Sequence, residues 1–176
     1  MIPTRTDDIL ARLVERVEGR YFGKYRGEVT DNADPDNLGR IRARVPRLLG
    51  EEVTGWALPA FAYGGAAEQG LFAVPDVGAH VWVEFEGGDL SYPIWSGVWY
   101  ASGELPEGAT PAVKVLKTKS GHKIVMDDDG GTLEIADSNG NSIKLDSNGI
   151  VITNGSKTIK LSSSSVSIND GALEVL

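Results

Sequence analysis

The last third of the chain is patterned in apolar pairs, each made of two residues separated by a single position. Lys, Asp, Ser, Thr and Asn fill most of the remaining positions. A period of two is typical of a β-strand that has one apolar face. The pattern therefore predicts a run of short strands, one for each pair. The pairs are Ile124/Met126, Leu133/Ile135, Ile143/Leu145, Ile150/Ile152, Ile159/Leu161, Val166/Ile168 and Leu173/Val175.

Turn signals separate these pairs. Residues 129–131 read Asp-Gly-Gly, and Asn-Gly begins at Asn139, Asn148 and Asn154. Such residues tolerate left-handed backbone conformations, so they reverse the chain at little cost in free energy. The first positions of successive pairs are seven to ten residues apart. An irregular short repeat of this kind is typical of stacked β architectures.

A single copy of this segment has too few apolar side chains to enclose a core, because each strand supplies only two. An antiparallel meander packed on the preceding domain is one solution. A single-chain β-helix is disfavoured, since about 20 residues per coil would give fewer than the ~3 stacked units that solenoids need. Three chains wound around one axis would bury every pair and leave no free sheet edge. The residues expected in this trimer core are Ile124, Met126, Leu133, Ile135, Ile143, Leu145, Ile150, Ile152, Ile159, Leu161, Val166 and Ile168.

The chain ahead of the repeats divides into a helix, a barrel and a linker. Residues 1–20 predict a short helix whose apolar residues share one face, which either packs on its own domain or docks as an arm on a neighbouring subunit. Residues 21–103 predict a small five-stranded barrel. A Gly/Pro/Glu-rich linker covers residues 104–117, and the strand repeats form a final domain at residues 118–176. At the end of this linker, residues 112–119 are expected to begin the run of strands. The predicted barrel strands are 25–31, 40–46, 54–59, 79–86 and 92–99.

Composition narrows the classes of function. The formal net charge is −8, which disfavours binding to phosphate backbones and to anionic lipid. The chain has no Cys, so disulfides and thiolate metal sites are excluded. No apolar run approaches 18 residues and no secretory leader is visible, so we expect a soluble protein made in the cytoplasm.

Several separated motifs resemble a known family. Residues 34–46 read Asp-Pro-Asp-Asn-Leu-Gly-Arg-Ile-Arg-Ala-Arg-Val-Pro, and residues 75–89 read Pro-Asp-Val-Gly-Ala-His-Val-Trp-Val-Glu-Phe-Glu-Gly-Gly-Asp. Gly-Trp-Ala lies between them at residues 55–57, and a Pro-to-Gly run follows at residues 93–97. In this order the motifs resemble the baseplate assembly protein V family, the central spikes of contractile phage tails, which are related to the VgrG spikes of type VI secretion.

This resemblance implies an all-β fold, with an oligonucleotide/oligosaccharide-binding (OB) barrel followed by an intertwined, trimeric β-helical needle. It further implies a structural spike in the baseplate of a phage or phage-tail-like particle, which meets the target cell envelope. No large hub domain precedes the barrel, so the hub is expected to be a separate protein. The apolar end formed by Leu173, Val175 and Leu176 suggests that a PAAR-type tip protein covers it.

Individual matching residues carry structural expectations. Gly39 and Gly78 are expected at positive φ or at points of close backbone approach. Trp56 and Phe85 are the candidates for the barrel core. Arg40 is expected to point off the barrel into an intersubunit or linker contact, or into solvent.

The sequence offers little to an enzyme or a metal site. His80 and His122 are expected to be solvated, and the acidic run at residues 127–129 fails the EF-hand spacing because Gly131 takes a ligand position. Asp31, Asp34 and Asp36 are explained by a turn. We therefore predict no catalytic residue, no cofactor and no metal.

Two other functions stay open. The barrel with its oligomerising tail is alternatively a module that binds glycan or single-stranded nucleic acid, for which exposed Trp82 is the stacking candidate. The acidic composition disfavours nucleic acid as a partner. An envelope hydrolase is the weaker alternative.

Overall fold

The computed structural model describes residues 5–175, and these residues form two compact units that meet in sequence at Ala101 and Ser102. Strands dominate both units, as predicted. Ahead of the strands, α1 runs from Arg5–Val17 over 13 residues. Its apolar side chains remain more than half exposed, from 51% at Ile9 to 60% at Val17. The helix therefore does not bury this face within the described chain.

The first unit is built on a curled five-stranded sheet. In it the first strand lies between the second and the fourth, and the fifth lies between the fourth and the third. A bridge between Ile41 and Ala57 joins the segments next to the two edge strands, with N–H···O distances of 3.2 and 2.8 Å. This bridge closes the sheet into the predicted barrel. The strands are β1 (Tyr25–Asp31), β2 (Arg42–Arg44), β3 (Leu58–Pro59), β4 (His80–Phe85) and β5 (Pro93–Val98).

Two of the predicted barrel strands, the second and the third, are much shorter than expected, and the last two lose one residue at each end. The second strand stops at Arg44 because Pro46 opens a short helix, α2 (Pro46–Leu49), where a proline at the first helical position has no N–H to satisfy. The third keeps only two residues as strand, although Ala57 extends its pairing as a single bridge. A 3-10 turn at Glu86–Gly88 separates the last two strands.

The barrel encloses a dry apolar core in which every member is at most 6% exposed. Phe85 lies in it as predicted, but Trp56 does not: that prediction is wrong. Ala57 takes the inward position at the closing bridge, so alternation turns Trp56 outward. The core indole is that of Trp95. The core residues are Val29, Ile41, Ala43, Val45, Ala57, Val81, Val83, Phe85 and Trp95.

Gly39 shows why the family motif carries a glycine. Its φ is +74°, and a Cβ there would lie 2.9 Å from the ring of Phe61. The carbonyl of Gly39 also accepts a 3.1 Å hydrogen bond from Nε1 of Trp95, whose ring meets Phe61 edge-on. A side chain at this position would break that packing. The expectation of positive φ is confirmed here and at Gly78, where φ is +89°.

The second unit is one eight-stranded sheet in which sequence neighbours pair antiparallel from first to last. All seven strands predicted from the apolar pairs are present. An eighth, β6, precedes them at the end of the segment assigned to the linker. The strands are β6 (Val113–Lys117), β7 (Lys123–Asp127), β8 (Thr132–Ala136), β9 (Asn141–Asp146), β10 (Gly149–Asn154), β11 (Lys157–Leu161), β12 (Val166–Ile168) and β13 (Leu173–Val175).

Candidate functional site

The register of the second sheet sets the apolar pairs directly opposite one another on a single face, called here the apolar face. Every strand from β7 to β13 supplies one residue to each of two rows, and adjacent members of a row are Cα partners. The first row is Leu116, Ile124, Ile135, Ile143, Ile152, Ile159, Ile168 and Leu173. The second is Met126, Leu133, Leu145, Ile150, Leu161, Val166 and Val175, with Lys114 at its β6 end.

The opposite face of the sheet is mixed and mostly polar. Glu134 pairs directly with Lys144, and Nζ of Lys123 lies 3.1 Å from Oε1 of Glu134. Opposite charges on neighbouring strands stabilise a solvated face by a few tenths of a kcal/mol per pair, up to about 1 kcal/mol. The two faces thus differ in character: one is suited to water and the other to an apolar partner.

The apolar face is not covered within the described chain. Ile143 is 40% exposed, Ile135 47% and Val175 58%. A shallow groove of about 580 Å³ runs along it beside Leu116 and Ile152. No residue of residues 113–175 is buried, whereas the barrel has a complete core. A continuous apolar surface of this extent on a folded domain indicates an interaction site.

The predicted core and tip residues therefore share one surface. All twelve core candidates lie in the two rows, and Leu173 and Val175 continue the same rows on the last strand. Leu176 lies outside the described residues. The sequence pattern did not identify Leu116, because the alternating Val113 and Val115 in the same strand lie on the opposite face.

The hairpin between β8 and β9 is held by one carboxylate. Asp137 accepts hydrogen bonds from the backbone N–H of Asn141 at 2.9 Å, from its side-chain amide at 2.6 Å, and from the backbone N–H of Asn139 at 2.8 Å. The Asn141 bonds, reinforced by those of Asn139, lower the pKa of Asp137 from 3.8 to about 2. This arrangement explains why the Asp-Ser-Asn-Gly signal gives a well-defined turn.

The acidic cluster on the barrel anchors Arg40. Oδ1 of Asp34 accepts from Nε and Nη2 of Arg40 at 3.0 and 2.6 Å, and Asp36 contacts the same guanidinium. The Arg40 hydrogen bond holds the pKa of Asp34 well below its usual range. Arg40 is therefore fixed within its own loop, and its contact with another subunit or with the linker stays a prediction. Its guanidinium carbon also lies 5.7 Å from the ring centroid of Trp56.

Besides Trp56, a cluster of aromatic side chains lies on the outer surface of the barrel. The rings of His80 and Trp99 stack at 4.2 Å, and the guanidinium of Arg26 lies 4.9 Å from Trp99 and 6.0 Å from Trp82. Trp82 is half-buried rather than freely exposed. Arg26 and Trp82 are Cα partners across β1 and β4, so alternation alone places both side chains on this surface. The sequence reasoning missed Arg26 and Trp99.

The other candidate groups show no constellation for catalysis. Among residues 5–175, no group of three or more His, Asp and Glu side chains is placed to hold a metal ion. Oδ1 of Asp127 accepts the N–H of Gly130 at 2.8 Å, so one member of the acidic run is engaged in its own turn. In the same part of the chain, no helix has the length and apolarity that crossing a bilayer requires.

Two known protein domains match this chain, each over a different part of it. Residues 25–100 match the type VI secretion system/phage-baseplate injector OB domain. Residues 113–174 match the phage baseplate V C-terminal trimerisation domain. The first match covers the barrel, and the second covers the sheet with its two apolar rows.

Individual relatives agree with these families. The type VI secretion system spike proteins VgrG2a and VgrG2b of Pseudomonas aeruginosa are each 29% identical to this chain over 107 residues. The aligned region is 58% of this chain, but only 13% of VgrG2a and 10% of VgrG2b. The chain thus spans a small part of the relatives it matches. Because the OB and trimerisation matches follow one another along most of its length, the chain belongs to the baseplate V family, to which the VgrG spikes are related.

Proposed function

We propose that three copies of this chain form the central spike of a contractile phage tail or tail-like injection system, with a needle that pierces the target envelope. The observation that carries the proposal is the pair of unbroken apolar rows across the second sheet. One copy leaves them exposed, and the family match describes the same residues as a trimerisation domain. Three sheets with their rows turned inward would bury all twelve predicted core residues.

The task of such a spike is mechanical. Each layer of the needle would bring together three copies of the same apolar pair, and burial of apolar surface contributes about 25 cal/mol per Å². A strand in this arrangement cannot open without exposing the side chains of all three copies. The resulting rigid shaft would transmit the force of sheath contraction to a narrow tip. No catalytic step is part of this function.

The remaining partners belong to the same proposal. The barrel, residues 21–103, would join the needle to a separate hub protein of the baseplate, and the part of the predicted linker ahead of β6, residues 104–112, would connect the barrel to the needle. The exposed Leu173 and Val175 on the last strand, together with Leu176, would seat a PAAR-type tip protein. The assembled spike would be located in the baseplate of the particle.

The first test is the solution mass of the purified full chain by light scattering, with an unheated SDS gel of the same sample. A trimer of three 18.8 kDa chains that resists SDS is the expected result. A monomer at micromolar concentration would overturn the proposal, because the apolar rows would then have no partner copies. Replacing Leu173 and Val175 by Ser should leave the trimer mass unchanged, because strands β7 to β12 keep their apolar pairs, while abolishing binding of a PAAR-type protein.

The aromatic surface of the barrel favours a second function, recognition of a glycan. Trp82 and Trp99 could stack on sugar rings, although Arg26 already covers part of both. A glycan array probed with the full chain and with a Trp82→Ala/Trp99→Ala variant tests it. Binding that disappears in the variant would support this function. Absence of binding by the parent chain would remove it.

A further inference from the structure

The strands of the second sheet are joined by hairpins along two sides of the sheet, called here its two lateral edges. Near the first strands, these two edges carry opposite charges. The β6–β7 hairpin, residues 117–123, contains Lys117, Lys119, His122 and Lys123; we call it the basic hairpin. The β7–β8 hairpin, residues 127–131, begins Asp-Asp-Asp; we call it the acidic hairpin. Successive hairpins of an antiparallel meander lie at opposite edges. Strand β7 therefore has the basic hairpin at one end and the acidic hairpin at the other.

The later hairpins are nearly neutral. On the edge of the acidic hairpin, the next turns are Ser147-Asn148 and a run of four serines at residues 162–165. On the opposite edge, Asp137 lies in the β8–β9 turn, where it accepts hydrogen bonds from Asn139 and Asn141, and Asp170 lies in the last turn and is paired with Lys160. The charged hairpin residues are thus concentrated near β6, basic on one edge and acidic on the other.

Some of the charged side chains of these hairpins are engaged within the chain: Nζ of Lys123 lies 3.1 Å from Oε1 of Glu134, and Oδ1 of Asp127 accepts the N–H of Gly130. Asp128 contacts Lys114 while staying 64% exposed, and Lys117 lies 4.0 Å from Glu107, which is 93% exposed. Among residues 5–175, Asp129 and Lys119 make no ion pair. The charges available to a partner molecule are therefore Lys119 on one edge and Asp129 on the other, together with the partly exposed Lys117 and Asp128.

The apolar rows cannot by themselves fix how neighbouring copies are aligned. The first row contains only Leu and Ile, so a copy shifted along the ladder, or inverted, meets almost the same surface. A self-similar pattern specifies register weakly. Some feature other than the rows must determine the height of one copy relative to the next along the trimer axis.

We propose that the apolar face is closed by two further copies of this chain, set parallel and level, with the acidic hairpin of each copy beside the basic hairpin of the next. This inference rests on the trimeric spike proposed above. In three-fold closure, one edge of each sheet faces the opposite edge of its neighbour. The two hairpins differ in height by one strand spacing, about 4.8 Å, which Lys and Asp side chains can bridge. An inverted copy would instead set the acidic hairpin against the serines of residues 162–165, and a copy shifted by two strands would set it against the turn that begins at Asp137.

Charge reversal tests the pairing. One variant carries Asp128→Lys and Asp129→Lys, a second carries Lys117→Glu and Lys119→Glu, and a third carries all four substitutions. Each is unfolded in denaturant and refolded, and the appearance of trimer is followed by light scattering. At about 20 mM NaCl we expect either double variant to assemble about tenfold more slowly than the parent chain. At about 1 M NaCl the difference should largely vanish, because salt screens exposed charges.

The fourfold variant is the decisive arm, since it exchanges the two signs and restores attraction at all three seams. It should assemble at the parent rate. As a matched control, Ser163→Lys/Ser164→Lys adds two lysines to the far hairpin of the same edge and should change the rate less than about twofold.

Parent-like rates in both double variants at low salt would overturn the inference, and so would a fourfold variant as slow as the doubles. In either case the trimeric spike would stand, provided that the parent chain is a trimer. A monomeric parent chain would overturn the spike itself, so the two failures are distinguishable.

Discussion

The barrel and the eight-stranded sheet solve the same burial problem in different ways. Both are made of short strands with alternating apolar residues, yet Ile41 in the barrel is fully buried and Ile143 in the sheet is 40% exposed. The barrel curls until its edges meet at the Ile41–Ala57 bridge, so its apolar residues face each other. The sheet keeps its strands in sequence order and never closes on itself. Closure within one chain is therefore a property of topology rather than of composition.

The largest effect is expected from a charge on the apolar face. Ile143→Asp would place three carboxylates in one layer of the trimer, at a cost of more than about 5 kcal/mol per trimer. We expect the trimer to be lost by light scattering while the barrel stays folded. Lys144→Asp, one residue away on the polar face, is the control and should cost about 1 kcal/mol at most. A normal trimer from Ile143→Asp would contradict the buried-row arrangement.

A cavity in the barrel should destabilise a chain without any dependence on assembly. Ile41→Ala is expected to lower the free energy of unfolding of the barrel by about 2–4 kcal/mol. Denaturant unfolding followed by tryptophan fluorescence should give this loss equally at two chain concentrations tenfold apart. Leu58→Ala, at a side chain that is 49% exposed, should cost much less. A loss that depends on chain concentration would show that the barrel core, too, is completed by other copies.

Low pH should destabilise the second sheet, because it protonates the carboxylate of Asp137. Because the pKa of Asp137 is lowered from 3.8 to about 2, its stabilising contribution is complete above pH 4 and is lost as the pH falls towards 2. Asp137→Asn should flatten the fall of the melting temperature over this range. Asp146→Asn is the matched control, since Asp146 begins the same Asp-Ser-Asn-Gly turn but accepts only the N–H of Asn148, at 2.8 Å. Equal pH profiles for both variants would refute the role of the Asp137 network.

The smallest effect is expected on the polar face. Glu134→Gln removes the partner of Lys123 at 3.1 Å, where both side chains remain about one-third exposed. Exposed ion pairs contribute about 0.2–1 kcal/mol and are screened by salt. The melting temperature should fall slightly at low salt and not at about 1 M NaCl. A loss as large as that of a core substitution would mean that this face, too, is buried in the assembly.

The sequence located the sheet well because its signal is local. A pair such as Ile143 and Leu145 sets which face of its strand is apolar, and the following Asn-Gly sets where the strand ends. Strand β6 is expected within residues 112–119, but its buried face could not be predicted, because Val113, Val115 and Leu116 put apolar residues on both of its faces. Local alternation gives no answer in such a strand, and only its pairing with β7 determines its orientation.

The barrel shows what local patterns do not contain. The choice between Trp56 and Trp95 as the core indole depends on the bridge between Ile41 and Ala57, which is a contact between distant segments. The capture of Arg40 by Asp34 likewise depends on the path of a loop. The prediction that three copies surround the apolar rows rested on the family resemblance and on the shortage of apolar side chains. No periodicity distinguishes three-fold from two-fold closure.

The uncovered apolar rows also bear on how the protein is made. The two rows extend together for about 30 Å across the seven strands from β7 to β13, and β6 and β13 each leave one edge unpaired in a single copy. A newly synthesised chain with this surface is prone to self-association of the wrong kind, since open edges and apolar patches are what aggregation uses. Productive assembly and aggregation then compete for the same molecules. We expect the yield of intact spikes to depend on synthesis rate and temperature, and on holdase chaperones that shield the sheet until its partner copies arrive.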